Sequence, residues 1–227
     1  MWKFFRKKTS VIDDRVTHTL IVSSLLGISF VLARMWFTDS PRYGFLFWNL
    51  FLAWIPYLCS LKLLELFKAK KHIFWIYVCG VLWLIFFPNT PYLITDFKHL
   101  PAGKIDYIWY DIVLLCSFAW TGLLLTFLSL GHIHYIFKEK IGSKKTWLII
   151  TFLFLLTSFG IYLGRFLRWN SWDIVASPYE LIGDILDRAS SPFAHPQTIA
   201  FIIAFSAFLM VGYWSFHTLT HTKDTRD

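Results

Sequence analysis

Two polar runs interrupt an otherwise apolar chain, and they hold the side chains best suited to chemistry. The first is FFPNTPYLITDFKHL, residues 86–100, and the second is GIYLGRFLRWNSWDI, residues 160–174. The planar guanidinium of arginine suits phosphate or carboxylate groups, and a carboxylate beside it can act as a general base. These residue types predict a polar site for an anionic or lipid-linked small-molecule ligand.

The candidate residues come from both runs and from the apolar stretches next to them. Asp111 lies about 7 Å along a helix from Asp106, at 1.5 Å per residue, and an ionisable group at that depth in a membrane is a functional candidate. The primary candidates are Asn89, Tyr92, Asp96, Asp111, Arg165, Arg168, Asn170 and Asp173. The secondary candidates are Asn49, Thr95, His99, Glu180 and Asp184.

A purely structural interpretation of the same residues stays open. Pro88 and Pro91 are expected to end a helix, and Asp96 can cap a short turn through FKHL. We expect Arg165 to pair with Asp111 or Asp96, which would join two helices even without a ligand. The tryptophans of the second run are typical of a membrane interface.

The elements that carry these residues are predicted to cross a membrane. The chain has 227 residues, of which 56% are hydrophobic and only 16% charged. A spanning helix needs about 20 mostly apolar residues. Six stretches meet this requirement, at roughly 17–37, 44–67, 72–90, 107–130, 146–167 and 197–219. We predict an all-α fold, a bundle of six transmembrane helices.

The basic residues predict the orientation of this bundle. With six spans, about two thirds of the 22 lysines and arginines fall on the side that holds both termini. Because cytoplasmic segments are enriched in Lys and Arg, both termini are expected in the cytoplasm and both polar runs outside. The predicted organisation is a cytoplasmic N-terminus (1–16), a single membrane domain (17–219) and a cytoplasmic tail (220–227).

The run SPYELIGDILDRAS, residues 177–190, predicts a short amphipathic surface helix between spans five and six. Ser177, Pro178 and Glu180 fit the N-cap, N1 and N3 positions of a capped helix. Its acidic residues are either solvated or turned toward the arginines. In span two, Asn49 either joins helices or faces the same outer cavity.

Several other function classes find no support in the sequence. The net charge of +8 is explained by membrane orientation and does not indicate nucleic acid. The three cysteines fall within apolar stretches, and the histidine spacing gives only weak support for a metal, so we predict no metal and no cofactor. The common hydrolase, zinc-protease, phosphate-loop and kinase signatures are not found.

Four motifs together resemble a known family. They are WNLFLAWIPY, PNTPYLITD, the D-x-x-x-x-D of residues 106–111, and GIYLGRFLRWNSWD. They resemble the bacterial integral membrane family catalogued as domain of unknown function 1361, over roughly residues 15–218. The resemblance implies a multi-pass bacterial membrane protein and supplies no catalytic residues.

Three functions remain open from the sequence. The first is an outer-face site that binds or processes an anionic or lipid-linked substrate. The second is an envelope scaffold, or an accessory subunit of a transport or cell-wall system, with a homo-oligomeric or envelope protein partner. The third is a small dimeric transporter. Membrane lipid is an expected partner of all three, and a concave pocket joining the two polar runs would favour the first.

Overall fold

A computed structural model of the chain describes residues 14–70, 73–100, 106–169, 173–190 and 194–221. Within these ranges the fold is all-helical and contains no strand. The helices are α1 (Asp14–Thr38), α2 (Phe45–Lys68), α3 (Ile73–Phe86), α4 (Asn89–Tyr92), α5 (Ile108–Ile141), α6 (Ser143–Tyr162), α7 (Asp173–Ala176), α8 (Pro178–Ser190) and α9 (Pro196–His221).

Six helical segments are long and apolar enough to cross a membrane, which confirms the predicted fold class. Helices suit this environment because each pairs its own backbone groups where no water is available. Many large apolar side chains on these segments are exposed, including Trp36, Phe51 and Leu148. Lipid is the solvent that such side chains fit.

The described chain forms two compact units, an N-terminal unit up to Ile136 and a C-terminal unit from Phe137 onward. In the N-terminal unit, α5 lies against α1 so closely that a Cβ on Gly27 would contact the Phe118 ring. Hydroxyl groups join the helices as well, since Ser23 and Thr121 lie 2.6 Å apart. Small residues and hydroxyl pairs are the usual means of helix association in lipid.

The segment after α3 carries the first polar run and is mostly helical. Helix α3 ends at Phe86, but the expected stop at Pro88 and Pro91 is only a short turn, because α4 begins at Asn89 and leads into a 3₁₀ helix over Leu93–His99. Thr126 of α5 donates a hydrogen bond to Thr90 at 2.8 Å. Gly122 lets α5 approach the Thr90 carbonyl, which fixes the turn against the core.

In the C-terminal unit, α6 packs on α9. Ser206 donates to Ser158 at 2.8 Å, and the ring centroids of Phe201 in α9 and Tyr162 in α6 lie 6.0 Å apart. Helix α6 continues into a wider π-helical turn over Leu163–Leu167, which carries the second polar run. Helix α8 begins at Pro178, the N1 position that the sequence predicts.

Candidate functional site

Asp111 lies in the first turn of α5 and forms a buried ion pair with Arg34 of α1. Arg34 Nε donates to one carboxylate oxygen at 2.6 Å, and Nη2 donates to the other at 3.3 Å. The side chain of Asp111 is fully buried and that of Arg34 is 10% exposed. This two-point contact is the strongest form of an arginine–carboxylate interaction, because both partners are charged and their planes match.

Tyrosines surround this pair. The Tyr107 ring lies 5.2 Å from the Arg34 guanidinium carbon, a cation–π distance. Tyr110 donates its hydroxyl hydrogen bond to the Phe30 carbonyl at 3.0 Å, which ties α5 to α1 one turn below the pair. The guanidinium is therefore held in one position by a carboxylate and by an aromatic face.

Tyr43, in the connection between α1 and α2, completes the cluster. Its side chain is buried, and its hydroxyl has no hydrogen-bond partner of good geometry among the described residues. Burial raises the pKa of this hydroxyl to about 12, and the neighbouring Asp111 carboxylate adds to the rise. The group thus stays protonated near neutral pH and keeps a proton to donate.

The partner of Asp111 differs from the one that the sequence predicts. We expected Arg165 for Asp111, whereas the structure pairs Asp111 with Arg34. Sequence reasoning missed Arg34, Tyr43 and Tyr107 as site residues. The sequence did contain one signal for Arg34. Arg34 lies in the last turns of the first span and Asp111 in the first turns of the fourth, and the predicted topology puts these two helix ends on the same side of the membrane. The alternative pairing, of Asp96 with Arg165, stays a prediction.

Asp96 forms the second polar contact of the N-terminal unit. It is fully buried inside the 3₁₀ helix and accepts a hydrogen bond from Asn49 Nδ2 of α2 at 3.1 Å. The N-cap position of the 3₁₀ helix is Tyr92, and Asp96 lies within its first turn, so Asp96 is not the N-cap that was expected for FKHL. Asn49 joins two elements, as one of its predicted roles requires.

The other candidates of the first run mostly stabilise their own turn. Asn89 donates to the Phe86 carbonyl at 3.0 Å, and Thr95 donates to the Tyr92 carbonyl at 2.7 Å. The His99 ring lies 4.6 Å from the Phe45 ring. Tyr92 itself is partly exposed. These contacts give the run a structural role, and a binding role for its residues stays a prediction.

The second run lies in the C-terminal unit. Arg165 is buried inside the π-helical turn, and Arg168 follows it in a left-handed conformation with φ 65° and an exposed side chain. Single π-helical turns are frequent at functional sites. Asp173 begins α7 and is partly exposed. Asn170 lies outside the described residues.

The two acidic candidates of α8 differ in their surroundings. Glu180 is exposed. Asp184 accepts a hydrogen bond from the Trp169 indole at 2.7 Å and forms an ion pair with Arg188 at 3.3 Å. Trp169 therefore connects the end of the second run to α8. A contact of these acids with the arginines of the second run stays a prediction.

An open groove runs along the end of α1 and is lined by Leu32, Met35, Trp36 and Asp39. These four residues belong to neither polar run, and the pocket that was expected to join the two runs stays a prediction. Within the described ranges, no group of three His, Cys, Asp or Glu side chains could hold a metal ion.

Comparison with known proteins gives one match. The model of a family described as "Protein of unknown function (DUF1361)" matches residues 48–211, more than half of the chain. The matched range includes both polar runs, Asn49 and Asp111, whereas Arg34 and Tyr43 precede it. No curated protein and no solved structure matches the chain.

Proposed function

We propose that this chain, which belongs to the family of domain of unknown function 1361, is a bacterial plasma-membrane protein with both termini in the cytoplasm. Six apolar helices support the membrane assignment. The excess of lysine and arginine on the side of the termini supports the orientation. In this orientation Arg34, Asp111 and both polar runs lie at the outer ends of their helices.

We further propose that the outer polar residues bind an anionic head group, either of a lipid or of a lipid-linked intermediate. The observation that supports this proposal most directly is the hydrogen bonding of the Arg34 guanidinium. Its Nε and Nη2 are bound to Asp111, while its Nη1 has no hydrogen-bond partner among the described residues. Part of the side chain remains exposed. The guanidinium thus keeps donors for an incoming oxygen.

The surroundings of Arg34 prepare it for this role. Asp111 and Tyr107 hold the guanidinium in place, so little side-chain entropy is lost when an anion binds. Tyr43 keeps a buried hydroxyl proton with no acceptor of good geometry in the described chain. A phosphate or carboxylate oxygen fits these donors, because both groups accept several hydrogen bonds at once.

In the C-terminal unit, Arg168 offers a second point of attraction for anions. Its side chain is exposed, and the tryptophan that follows it is held by Asp184. An exposed arginine next to an interfacial tryptophan lies where lipid head groups are found. Asn89, Tyr92, Asp96, Arg165, Asn170 and Asp173 remain candidates for binding or for proton transfer to such a ligand.

A specific observation favours a second candidate, the envelope scaffold. Asp111 and Asp96 each have a protein partner, so their burial is explained without any ligand. A scaffold needs only this stable arrangement and a surface for its partner.

Binding of a short-chain lipid separates the two candidates. Phosphatidylglycerol supplies an anionic head group and phosphatidylcholine a neutral one, both below the concentration at which they form micelles. We expect the protein in mild detergent to bind the first more tightly. Native mass spectrometry of the gently extracted protein would show whether a lipid is retained.

Two variants direct this experiment to the site. Arg34→Gln combined with Asp111→Asn removes the pair without leaving a lone charge, and Tyr43→Phe removes only the hydroxyl. We expect both to lower the affinity for phosphatidylglycerol, about tenfold for the double variant. The matched control is Lys62→Gln with Glu65→Gln, an exposed ion pair of α2. If the folded double variant binds phosphatidylglycerol as the parent does, the binding proposal is wrong and the scaffold gains support.

A further inference from the structure

Helix α8 exposes a stripe of large apolar side chains. Tyr179 is 89% exposed, Ile182 51% and Leu186 60%. They are spaced by three and four residues and so lie along one side of the helix. We call these three residues the α8 stripe. The helical spacing of the sequence predicts one apolar face made of Leu181, Ile182, Ile185, Leu186 and Ala189. Leu181 is buried while Ile182 and Leu186 are exposed, so that face is divided.

The opposite side of α8 holds the helix to the C-terminal unit. On that side, Asp184 accepts a hydrogen bond from the Trp169 indole. Arg188 lies one turn further along the helix, and its Nη1 forms an ion pair with Asp184. At roughly 100° per residue, Asp184 and Arg188 lie about 150–180° away from the middle of the stripe. The stripe therefore points away from the contacts that fix α8.

The chain keeps α8 near the membrane surface. Helix α8 lies between two membrane-spanning segments, Ser143–Leu167 and Pro196–Thr220. The short segment between Ser190 and Pro196 reaches at most about 20 Å even when fully extended. Trp169, which α8 binds, is of the type that marks the lipid–water interface. An exposed apolar stripe in this place lies within reach of lipid.

We propose that the α8 stripe inserts into the outer leaflet, at the boundary between head groups and acyl chains. An amphipathic helix binds such a boundary by burying its apolar side. The outer leaflet follows from the orientation proposed above. The anion site of the N-terminal unit has no part in it.

The charges of α8 specify the lipid. Glu180 and Asp187 flank the stripe and are exposed, although Asp187 also contacts Arg188 and His195. Helices that bind anionic lipid are instead rich in lysine and arginine. The acidic flank of α8 repels anionic head groups and attracts the ammonium of phosphatidylethanolamine. A zwitterionic lipid is therefore the occupant of the stripe.

Spin labels on two positions of α8 test the proposal. The full chain, with Cys59, Cys79 and Cys116 replaced by alanine, receives either Leu186→Cys or the control Glu180→Cys. Both positions are exposed, so neither label disturbs packing. The labelled protein is placed in phosphatidylethanolamine-containing vesicles, and collisions are measured with oxygen, which concentrates in lipid, and with a water-soluble nickel complex.

We expect the ratio of oxygen to nickel collisions to be several-fold higher for the label at Leu186 than for the label at Glu180. Equally low ratios would place the stripe in water, and equally high ratios would place the acidic side of α8 in lipid too; either result would overturn the proposal. Protection of the Leu186 label from both reagents would mean that protein covers the stripe, and would overturn it too. Dipolar broadening between labels would then identify a second copy as the occupant. An Ile182→Cys label repeats the measurement one turn away.

Discussion

The pairing of Arg34 with Asp111 gives each of these two buried charges its partner. Removing one partner leaves the other as an uncompensated charge, which costs about 3–5 kcal/mol in buried pairs. We expect Asp111→Asn and Arg34→Gln each to lower the free energy of unfolding by roughly this amount. Denaturant titration of the protein in mixed micelles measures the change.

The double variant Arg34→Gln/Asp111→Asn tests the coupling. Because each single change already breaks the pair, the loss in the double variant should be smaller than the sum of the single losses. Strict additivity would show that the two residues do not stabilise each other. Glu65→Gln, in the exposed pair with Lys62, is the control, and no measurable loss is expected there.

The Tyr43 hydroxyl predicts a pH dependence. Its pKa is raised from the usual 10 to about 12 by burial and by Asp111. A raised pKa in the folded state means that the folded protein holds the proton more firmly than the unfolded chain. The stability from this group is complete below pH 10 and is lost as the pH rises toward 12.

A comparison with Tyr43→Phe isolates this effect from the other tyrosines. The variant has no hydroxyl to ionise at this position, so its stability should fall less than that of the parent as the pH rises above 10. Melting temperatures of both proteins between pH 8 and pH 11 are compared. Parallel curves over this range would contradict the assignment.

At the residue scale, the sequence predicted where a polar residue lies along its helix better than it predicted which residue it pairs with. The depth of Asp111 follows from its distance along one helix, and the structure places it in a buried pair. Its partner Arg34 comes from a helix 77 residues earlier in the chain, and the spacing within one run carries no information on such a contact. Tyr43 gave no signal either, because a single tyrosine in a short connection is ordinary.

At the scale of elements, α5 carries a matched pair of glycines. A Cβ on Gly122 would lie 2.5 Å from the Thr90 carbonyl oxygen, whereas nothing lies within 4 Å of a Cβ on Gly131. Gly122→Ala must displace backbone, and overpacking of this kind costs about 1–3 kcal/mol. Gly131→Ala should be neutral or slightly stabilising, since alanine favours helix over glycine.

The thermal stabilities of these two glycine variants in detergent are the measurement. Equal melting temperatures for Gly122→Ala and Gly131→Ala would mean that α5 does not approach the α4 turn as described. A loss confined to Gly122→Ala would support the close approach. The test does not depend on any ligand.

The elements themselves were largely predictable, because apolar length decides what crosses lipid. The six spans and the start of α8 at Pro178 were predicted from the sequence. The helical continuation from Asn89 to His99 was not, since prolines were read as stops. Pro91 lies in the first turn of α4, where the backbone N–H groups have no helical partner, so its missing donor costs little.

At the scale of the whole molecule, the orientation can be tested by labelling. Lys98→Cys lies on the 3₁₀ helix and Lys144→Cys near the start of α6, and both side chains are exposed. In cells that express a variant free of other cysteines, a membrane-impermeant maleimide should label the first and spare the second. The reverse pattern would move both polar runs to the cytoplasm and end the proposal of an outer anion site.

The length of α5 has a practical consequence. A helix of 34 residues is about 51 Å long, some 20 Å more than the hydrocarbon of a bilayer is thick. We expect its last turns, which hold Lys138 and Lys140, to extend beyond the hydrocarbon, up to Gly142 with its φ of 82°. A protein of 26.8 kDa is small for electron cryo-microscopy. The exposed end of α5, from Glu139 to Ile141, offers a place to splice in a rigid helical fiducial in register with the helix.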